Sequence, residues 1–444
     1  MKQGAKTVIL RGTASINGQG HLEIGGIDTE QLVEKYGTPL MVYDVALIKE
    51  RARMFLRVVN QKGVTGKVFY ASKAFNTTAL LQLLVKEGMC FDVVSGGEFY
   101  TALKAGVNPQ NILFHGNNKI EEELEFAISN GIGTVVVDNF HEIDLLEKIA
   151  KKLDVVVSCL LRVTPGVDAY THKYIITGNE DSKFGFDLNN GQADEAVAYL
   201  HSHKSFDLKG IHSHIGSQIF GEEGYMIAMD RVFAKLSEWK EQYNFIPRIL
   251  NIGGGFGIRY SMRDHLKPYE GFLTLVVDKF IKRCHEIEIP IPELWIEPGR
   301  SVVAESGTTL YKIGARKEIP GIRTYLSVDG GMTDNIRPAL YQAKYEAVLS
   351  NRMLDDIEEE VTIAGRCCES ADLLIENIKL PKAKEKDTLA IFCTGAYGYS
   401  MASNYNKIPR PAVVFVENFQ DQLVIRRETY EDLIQYDLPL EIKE

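Results

Sequence analysis

The stretch Val68-Phe69-Tyr70-Ala71-Ser72-Lys73-Ala74-Phe75 decides the fold. Its opening apolar run reads as a buried strand, and Lys73 lies just past the end. Asn76 or Thr77 then caps an apolar segment, Ala79 to Val85, that stops at Gly88. This predicts a short helix with an N-cap and a glycine stop. Lys73 therefore sits where a parallel strand hands over to its helix, the end of an α/β sheet at which chemistry is placed. A lysine there can be desolvated, have its pKa lowered and form a Schiff base with a carbonyl. Taken alone, a solvated lysine at a helix start is the commoner reading.

The sequence on either side repeats the pattern. Strand candidates begin at Lys67, Cys90, Ile112, Thr134 and Val155, about 22 residues apart, the spacing of βα units and a parallel sheet. Helical patterns fall between them, at Ala79–Glu87, Glu98–Ala105, Lys119–Ser129 and His141–Leu153. Three more strands follow at Gly210–His214, Ile249–Ile252 and Leu294–Glu297, separated by helices that include Gly224–Tyr243 and Tyr269–His285. Eight βα units close into a (β/α)8 TIM barrel with its site at the C-terminal strand ends. Polar or glycine chemistry stands at those ends: Lys73, Asp92 with Ser95-Gly96-Gly97-Glu98, His115, Arg162, His212, His214, Ser217, Gly253-Gly254-Gly255 and Glu297-Pro298-Gly299-Arg300. Packing alone does not explain so many.

After Ser301 the texture changes to β-branched and aromatic runs: Thr308–Ile313, Arg323–Val328, Glu360–Ala364, Thr388–Cys393, Ala412–Glu417 and Leu423–Ile425. They predict a C-terminal, mostly antiparallel β domain, with one late helix at Tyr430–Tyr436. The first residues carry strand-like pieces at Thr7–Leu10 and His21–Ile24 and a helix, Asp28–Tyr36, before a long helix at about Val45 to Asn60. The expected division is a barrel over 41–305 and a β domain over 306–444.

A net charge of −10 argues against nucleic acid as a partner. No 18-residue apolar run predicts a membrane span, and Met1 to Gly20 holds no signal core. Six cysteines without zinc-like or disulfide spacing fit a reducing cytoplasm. No metal site is expected.

Several constellations carry chemistry. Gly253-Gly254-Gly255-Phe256-Gly257 after a strand lets backbone N–H groups approach an anion, a phosphate site at a place where barrels often have one. A dinucleotide fingerprint fits less well, because the G-x-G-x-x-G spacing is not met. His214 offers a flat ring to an aromatic cofactor and Ser217 a hydroxyl to a phosphate; His212 also fits a core residue. Glu297 ends an apolar strand, where an unpaired carboxylate is costly. A protonated pyridine nitrogen is a suitable partner, and an ion pair to Arg300 is the alternative. In Cys367-Cys368-Glu369-Ser370 a thiol beside a glutamate is a candidate proton donor, against two buried thiols. Gly395-Ala396-Tyr397 opens a tyrosine-rich loop suited to a ligand or to a surface.

With these residues in view, the chain resembles the fold-type III pyridoxal phosphate decarboxylases, and within them those acting on meso-2,6-diaminopimelate. The resemblance rests on Tyr70-Ala71-Ser72-Lys73-Ala74, Asp92 to Glu98, His214-Ile215-Gly216-Ser217-Gln218, Gly253-Gly254-Gly255, Glu297-Pro298-Gly299-Arg300, Asp329-Gly330-Gly331-Met332, Asn335 to Tyr341, Cys368-Glu369-Ser370 and Gly395-Ala396-Tyr397. These run in family order from about residue 30 onward. Ser213 departs from the cysteine that relatives often carry. The resemblance implies pyridoxal 5'-phosphate as cofactor, held covalently by Lys73 and stacked on His214. Ser217, Gly254, Gly255 and Gly257 would bind its phosphate, with Tyr397 closing over it, and Glu297 would pair with the ring nitrogen. Arg300, Arg337, Tyr341 and Glu369 would hold the far end of an amino-acid substrate, and Tyr397 would contact the substrate as well as the cofactor. Cys368 would return a proton to the α-carbon, reaching the site from the other subunit of a homodimer. Residues 1–40 would join the β domain. The loop Thr164–Phe186, with Asp168, His172 and Lys183, matches a family insertion without assigned roles.

The implied reaction is decarboxylation of meso-2,6-diaminopimelate to L-lysine. Two arginines suit a distal carboxylate that lysine or ornithine lacks. A barrel racemase would not need Cys368-Glu369-Ser370. A decarboxylase of ornithine, arginine or carboxynorspermidine is the closer rival, and a non-catalytic cofactor carrier is a third.

Overall fold

The structure is a computed structural model that describes residues 8–167, 182–262 and 264–441; Asp168 and His172 lie outside the described residues. The chain divides into two units: Lys49–Ile258 with His265–Val302, and Met1–Ile48 with Arg259–Asp264 and Val303–Glu444.

The first unit is a closed parallel barrel. Its strands are β1 (Gly66–Ala71), β2 (Cys90–Val93), β3 (Ile112–Phe114), β4 (Thr134–Val137), β5 (Val157–Thr164), β6 (Phe206–Ser213), β7 (Ile249–Asn251) and β8 (Glu293–Ile296). Each pairs in parallel with the next, and β8 returns to β1. A two-residue strand, Phe186–Asp187, lies beside β5. Phe69, Cys90, Leu113, Val136, Leu160, Ile249 and Trp295 form a buried cluster, one residue from each of seven strands. The strands read as continuous apolar runs because a barrel buries both their faces. β6 bulges between Leu208 and Gly210, where a Cβ on Gly210 would stand 1.8 Å from the Ile249 carbonyl oxygen.

Register places chemistry at one level. His212 on β6 is the partner of Arg162 on β5 and of Asn251 on β7. The helices that follow the strands are capped as their sequences direct. Ser95 Oγ accepts from Glu98 N–H at 3.2 Å, and Asn139 Oδ1 accepts from Glu142 N–H at 3.0 Å. Thr77 precedes the helix Thr78–Lys86 without a side-chain cap bond.

The second unit is a separate, mainly sheet domain. Its sheet runs Leu373–Leu380, Glu359–Ala364, Arg323–Val328, Gly307–Ile319, Leu40–Asp44, Ala412–Glu417, Gln420–Ile425, and Thr388–Phe392 joins Gly307–Ile319 to Ala347–Leu349. Pairing is antiparallel except between Arg323–Val328 and Glu359–Ala364 and between Leu40–Asp44 and Ala412–Glu417. Two local expectations fail. Residues 8–10 form no strand, and the helix expected over Tyr430–Tyr436 is one 3-10 turn, Asp432–Ile434. Tyr430, Ile434 and Tyr436 are exposed, so no buried face supports a longer helix there. Among the described residues no helix is long and apolar enough to cross a membrane.

Candidate active site

Lys73 stands on a 3-10 turn, Ser72–Ala74, directly after β1, and its side chain is exposed. Exposure, not the desolvation open to a lysine at this position, is what the structure shows. Tyr70 Oη donates to Phe75 O at 3.0 Å across the turn.

Glu297, just past β8, is buried and surrounded by donors. His115 Nε2 lies 2.8 Å from Oε1, Asn251 Nδ2 donates to Oε1 at 2.7 Å, and His212 Nε2 lies 3.3 Å from Oε2. Burial alone would raise its pKa, but His115 and His212 outweigh burial and hold the carboxyl well below the usual range. Burial also pushes His212 down to about 4, so this imidazole is neutral at pH 7. Asp92, at the end of β2, moves the other way. Burial and then the charge of Glu297 raise it, against His115, Lys73 and Arg162. Two neighbouring carboxyls are thus driven apart, one ionised and one inclined to keep its proton.

The ring of His214 is half-buried, and its Nδ1 accepts from Gly254 N–H at 3.3 Å. Burial, then Lys73 and Arg162, hold it well below the usual imidazole range. Ser217 Oγ accepts from Arg300 Nη2 at 3.2 Å. The glycine-rich turn is packed backbone to backbone. A Cβ on Gly254 would lie 2.0 Å from Glu297 O, and one on Gly255 (φ +96°) 2.1 Å from Gly216 O. Tyr225 Oη donates to Gly254 O at 2.8 Å, and Tyr269 Oη to Gly257 O at 2.5 Å. Gly257 N–H donates to Ile219 O at 2.9 Å, so that donor is already engaged. Lys73, His214, Ser217, the glycines, Glu297 and Arg300 all follow C-terminal ends of barrel strands.

The remaining candidates lie in the sheet domain. Arg337 and Tyr341 begin and end one short helix. Arg337 is buried, its Nη1 2.7 Å from both Tyr260 Oη and Tyr345 Oη, whereas Tyr341 is exposed. Cys367 is buried and Cys368 exposed, so the reading of two buried thiols does not hold. Cys368 N–H donates to Asn406 Oδ1 at 2.8 Å, and Glu369 is exposed. Tyr397 is half-buried with φ +58°. The sequence did not single out Asn251, Tyr225, Tyr260 or Tyr345. A polar residue closing the apolar pair Ile249-Leu250 was the available signal for Asn251.

The sequence profile described as "Pyridoxal-dependent decarboxylase, pyridoxal binding domain" matches residues 45–304. The chain belongs to the pyridoxal-dependent decarboxylases. Among members of that family it is 55% identical over 432 residues to a diaminopimelate decarboxylase of Bacillus subtilis (strain 168), covering 97% of this chain and 98% of that one. It is 56% identical over 417 residues to the diaminopimelate decarboxylase of Bacillus methanolicus, covering 94% and 96%. The crystal structure of diaminopimelate decarboxylase from M. jannaschii in co-complex with L-lysine superposes with a TM-score of 0.89 at 34% identity, covering 96% and 98%.

The cofactor of a pyridoxal-dependent decarboxylase is pyridoxal 5'-phosphate, and the residues present fit it. Glu297 is a buried, ionised carboxylate suited to a ring N–H. Ser72 Oγ and Asp92 Oδ1 are buried with no partner among the described residues, as expected of groups awaiting a polar ligand. The tight backbone packing leaves no room for side chains at Gly254 and Gly255.

Proposed function

We propose that this chain catalyses the pyridoxal phosphate-dependent decarboxylation of meso-2,6-diaminopimelate to L-lysine and carbon dioxide, the last step of lysine biosynthesis. It is a carboxy-lyase. Near-full-length identity to diaminopimelate decarboxylases carries the reading, and the site chemistry supports it.

When bound, pyridoxal phosphate supplies a carbonyl that links to amines and a protonated ring that accepts the electron pair left by departing carbon dioxide. Lys73, exposed on its turn, would hold the cofactor covalently. The ring of His214 would lie against it. Ser217 and the backbone of Gly254, Gly255 and Gly257 form the phosphate site, and Tyr397 completes it. This requires the Gly254 N–H to be shared with His214 Nδ1 and the Gly257 N–H with Ile219 O. Glu297, kept ionised by its neighbours, would hold the proton on the ring nitrogen. Arg300, Arg337, Tyr341 and Glu369 bind the distal amino-carboxylate. A guanidinium fixed between two tyrosine hydroxyls loses little freedom on meeting a carboxylate. Cys368 donates the proton that replaces the lost carboxylate at the α-carbon, and the thiolate regains a proton from solvent between turnovers.

The same reading makes the protein a cytoplasmic homodimer with shared active sites, Cys368 serving the partner's barrel. Six free cysteines support a reducing compartment.

Carbon dioxide release from meso-2,6-diaminopimelate by purified protein with added pyridoxal phosphate, with lysine identified as product, tests the reading. Release with lysine is expected. No release, despite a visible cofactor band that borohydride shifts, would keep the cofactor and overturn the substrate.

A further inference from the structure

The three donors to Glu297 divide unequally between its oxygens. Oε1 takes both short bonds, from His115 Nε2 at 2.8 Å and Asn251 Nδ2 at 2.7 Å. Oε2 takes one long contact, from His212 Nε2 at 3.3 Å. A carboxylate oxygen offers two lone pairs, so Oε1 is filled and Oε2 keeps acceptor capacity. The four side chains are all buried. They converge from the ends of β3, β6, β7 and β8, and the His115 and His212 rings meet edge to face with centroids 4.7 Å apart.

The donor role of each group follows from its partners. Asn251 Oδ1 accepts from Gly253 N–H at 2.9 Å, which turns Nδ2 toward Glu297 and ties the group to the glycine-rich turn. An ionised carboxylate only accepts, so both imidazoles present Nε2–H. Nδ1 of His212 is then a lone pair, buried with no partner among the described residues. Asp92, Lys73, Arg162 and His214 also face this group, and among the described residues none of them hydrogen-bonds to Glu297.

We propose that His115, His212 and Asn251 are positioning residues for Glu297: His115 and Asn251 fix its carboxylate through Oε1, and His212 borders Oε2 with one long contact that leaves this oxygen acceptor capacity for the ring N–H of bound pyridoxal phosphate. This rests on the reading of Glu297 as the partner of that nitrogen. Stripped of its donors, a carboxyl this buried would take up a proton and could no longer stabilise a charged ring.

The test is a titration of apoprotein with pyridoxal phosphate, followed by absorbance, with the pH dependence of the visible band recorded on the loaded protein. His115→Leu should weaken cofactor affinity about tenfold and shift the pH dependence of the band. His115→Gln, which keeps an N–H donor, should restore both. In a Glu297→Gln background His115→Leu should add less than about twofold, because the group it positions is gone. A His115→Leu protein that titrates like the wild type, while Glu297→Gln does not, overturns the proposal alone. An equal loss in both backgrounds shows a structural role only and also overturns it. Glu297→Gln protein with unchanged affinity and band would instead overturn the underlying reading of Glu297. If His115→Leu does not fold, Asn251→Asp, isosteric but setting a second carboxylate against Oε1, must show the same loss, and wild-type behaviour there sinks the proposal.

Discussion

Lys73 and Cys368, proposed to hold the cofactor and to return a proton, are both exposed in the single chain. Lys73→Ala should abolish the borohydride-trapped cofactor adduct detected by mass spectrometry; an adduct surviving on another lysine would relocate the covalent link. Cys368→Ala should lower kcat by about a hundredfold, the usual worth of a positioned proton donor. Its cofactor affinity should stay within about twofold, since a proton donor acts on the transition state and not on binding. His212 makes a different demand. Its pKa falls from 6.5 to about 4 on burial, so below pH 6.5 the unfolded chain binds a proton the folded chain refuses. Its contribution to stability is therefore complete above pH 6.5 and is lost as the pH falls toward 4, about 3 kcal/mol in all. The depressed pKa of Glu297 acts in the same direction, whereas Glu98, raised by burial to about 7, loses stability as the pH rises from 4.5 to 7. A difference curve between wild type and His212→Gln, from urea midpoints across this range, reads the histidine together with its effect on Glu297, and both act in the same direction. It should rise with pH, and a flat curve would show that His212 titrates normally. These demands were only partly legible. Lys73, Glu297 and His212 announce themselves by standing at the ends of apolar runs. That His115 serves Glu297, 182 positions later, cannot be read from either stretch, because register across separate strands creates the contact.

Between β3 and β4 a buried ion pair joins consecutive βα units. Lys119 Nζ donates to Gly116 O at 2.9 Å, Val136 O at 2.8 Å and Glu142 Oε1 at 2.7 Å, and Glu142 Oε2 accepts from Asp138 N–H at 2.9 Å. The two side chains are 1% and 3% exposed. Burial raises the pKa of Glu142 despite Lys119, so the pair is desolvated at real cost. Lys119→Met should lower unfolding free energy by about 3–5 kcal/mol, because it strands a buried carboxylate. Adding Glu142→Leu should recover much of the loss, and a double variant as unstable as the single one would show that the backbone bonds, not the charges, hold the two units. The elements themselves were legible in proportion to how completely they are buried. Barrel strands, covered on both faces, stand out as apolar runs at even spacing. Leu373–Leu380 does not, because its partner strand slips register twice and Asn377 takes a positive φ, breaking the alternation that marks a half-buried strand. Leu40–Asp44 is hidden for another reason: the helix Val45–Val59 begins at the next residue, with no turn signal between them.

At the scale of the molecule, the barrel and the sheet domain divide the proposed catalytic inventory. Lys73, His214, Glu297 and Arg300 belong to the first and Arg337, Cys368, Glu369 and Tyr397 to the second. A shared-site dimer joins one chain's lysine to the partner's cysteine, and that arrangement has a genetic consequence that a self-contained subunit lacks. A Lys73→Ala chain still carries an intact cysteine, and a Cys368→Ala chain an intact lysine. If sites are shared, each mixed dimer holds one site with both groups and one with neither. Co-expression in equal amounts with random pairing makes half the dimers mixed, so about a quarter of wild-type activity should return from two nearly inactive parents. If each chain completes its own site, mixing yields only the average of the parents. The assay is carbon dioxide release from doubly tagged, co-purified heterodimer, for which the expected activity is about half that of wild type. Light scattering on the same sample checks that the species is a dimer. Recovery in the heterodimer would establish that Cys368 acts across the interface; activity no greater than that of the parents would place both groups of each site in one chain.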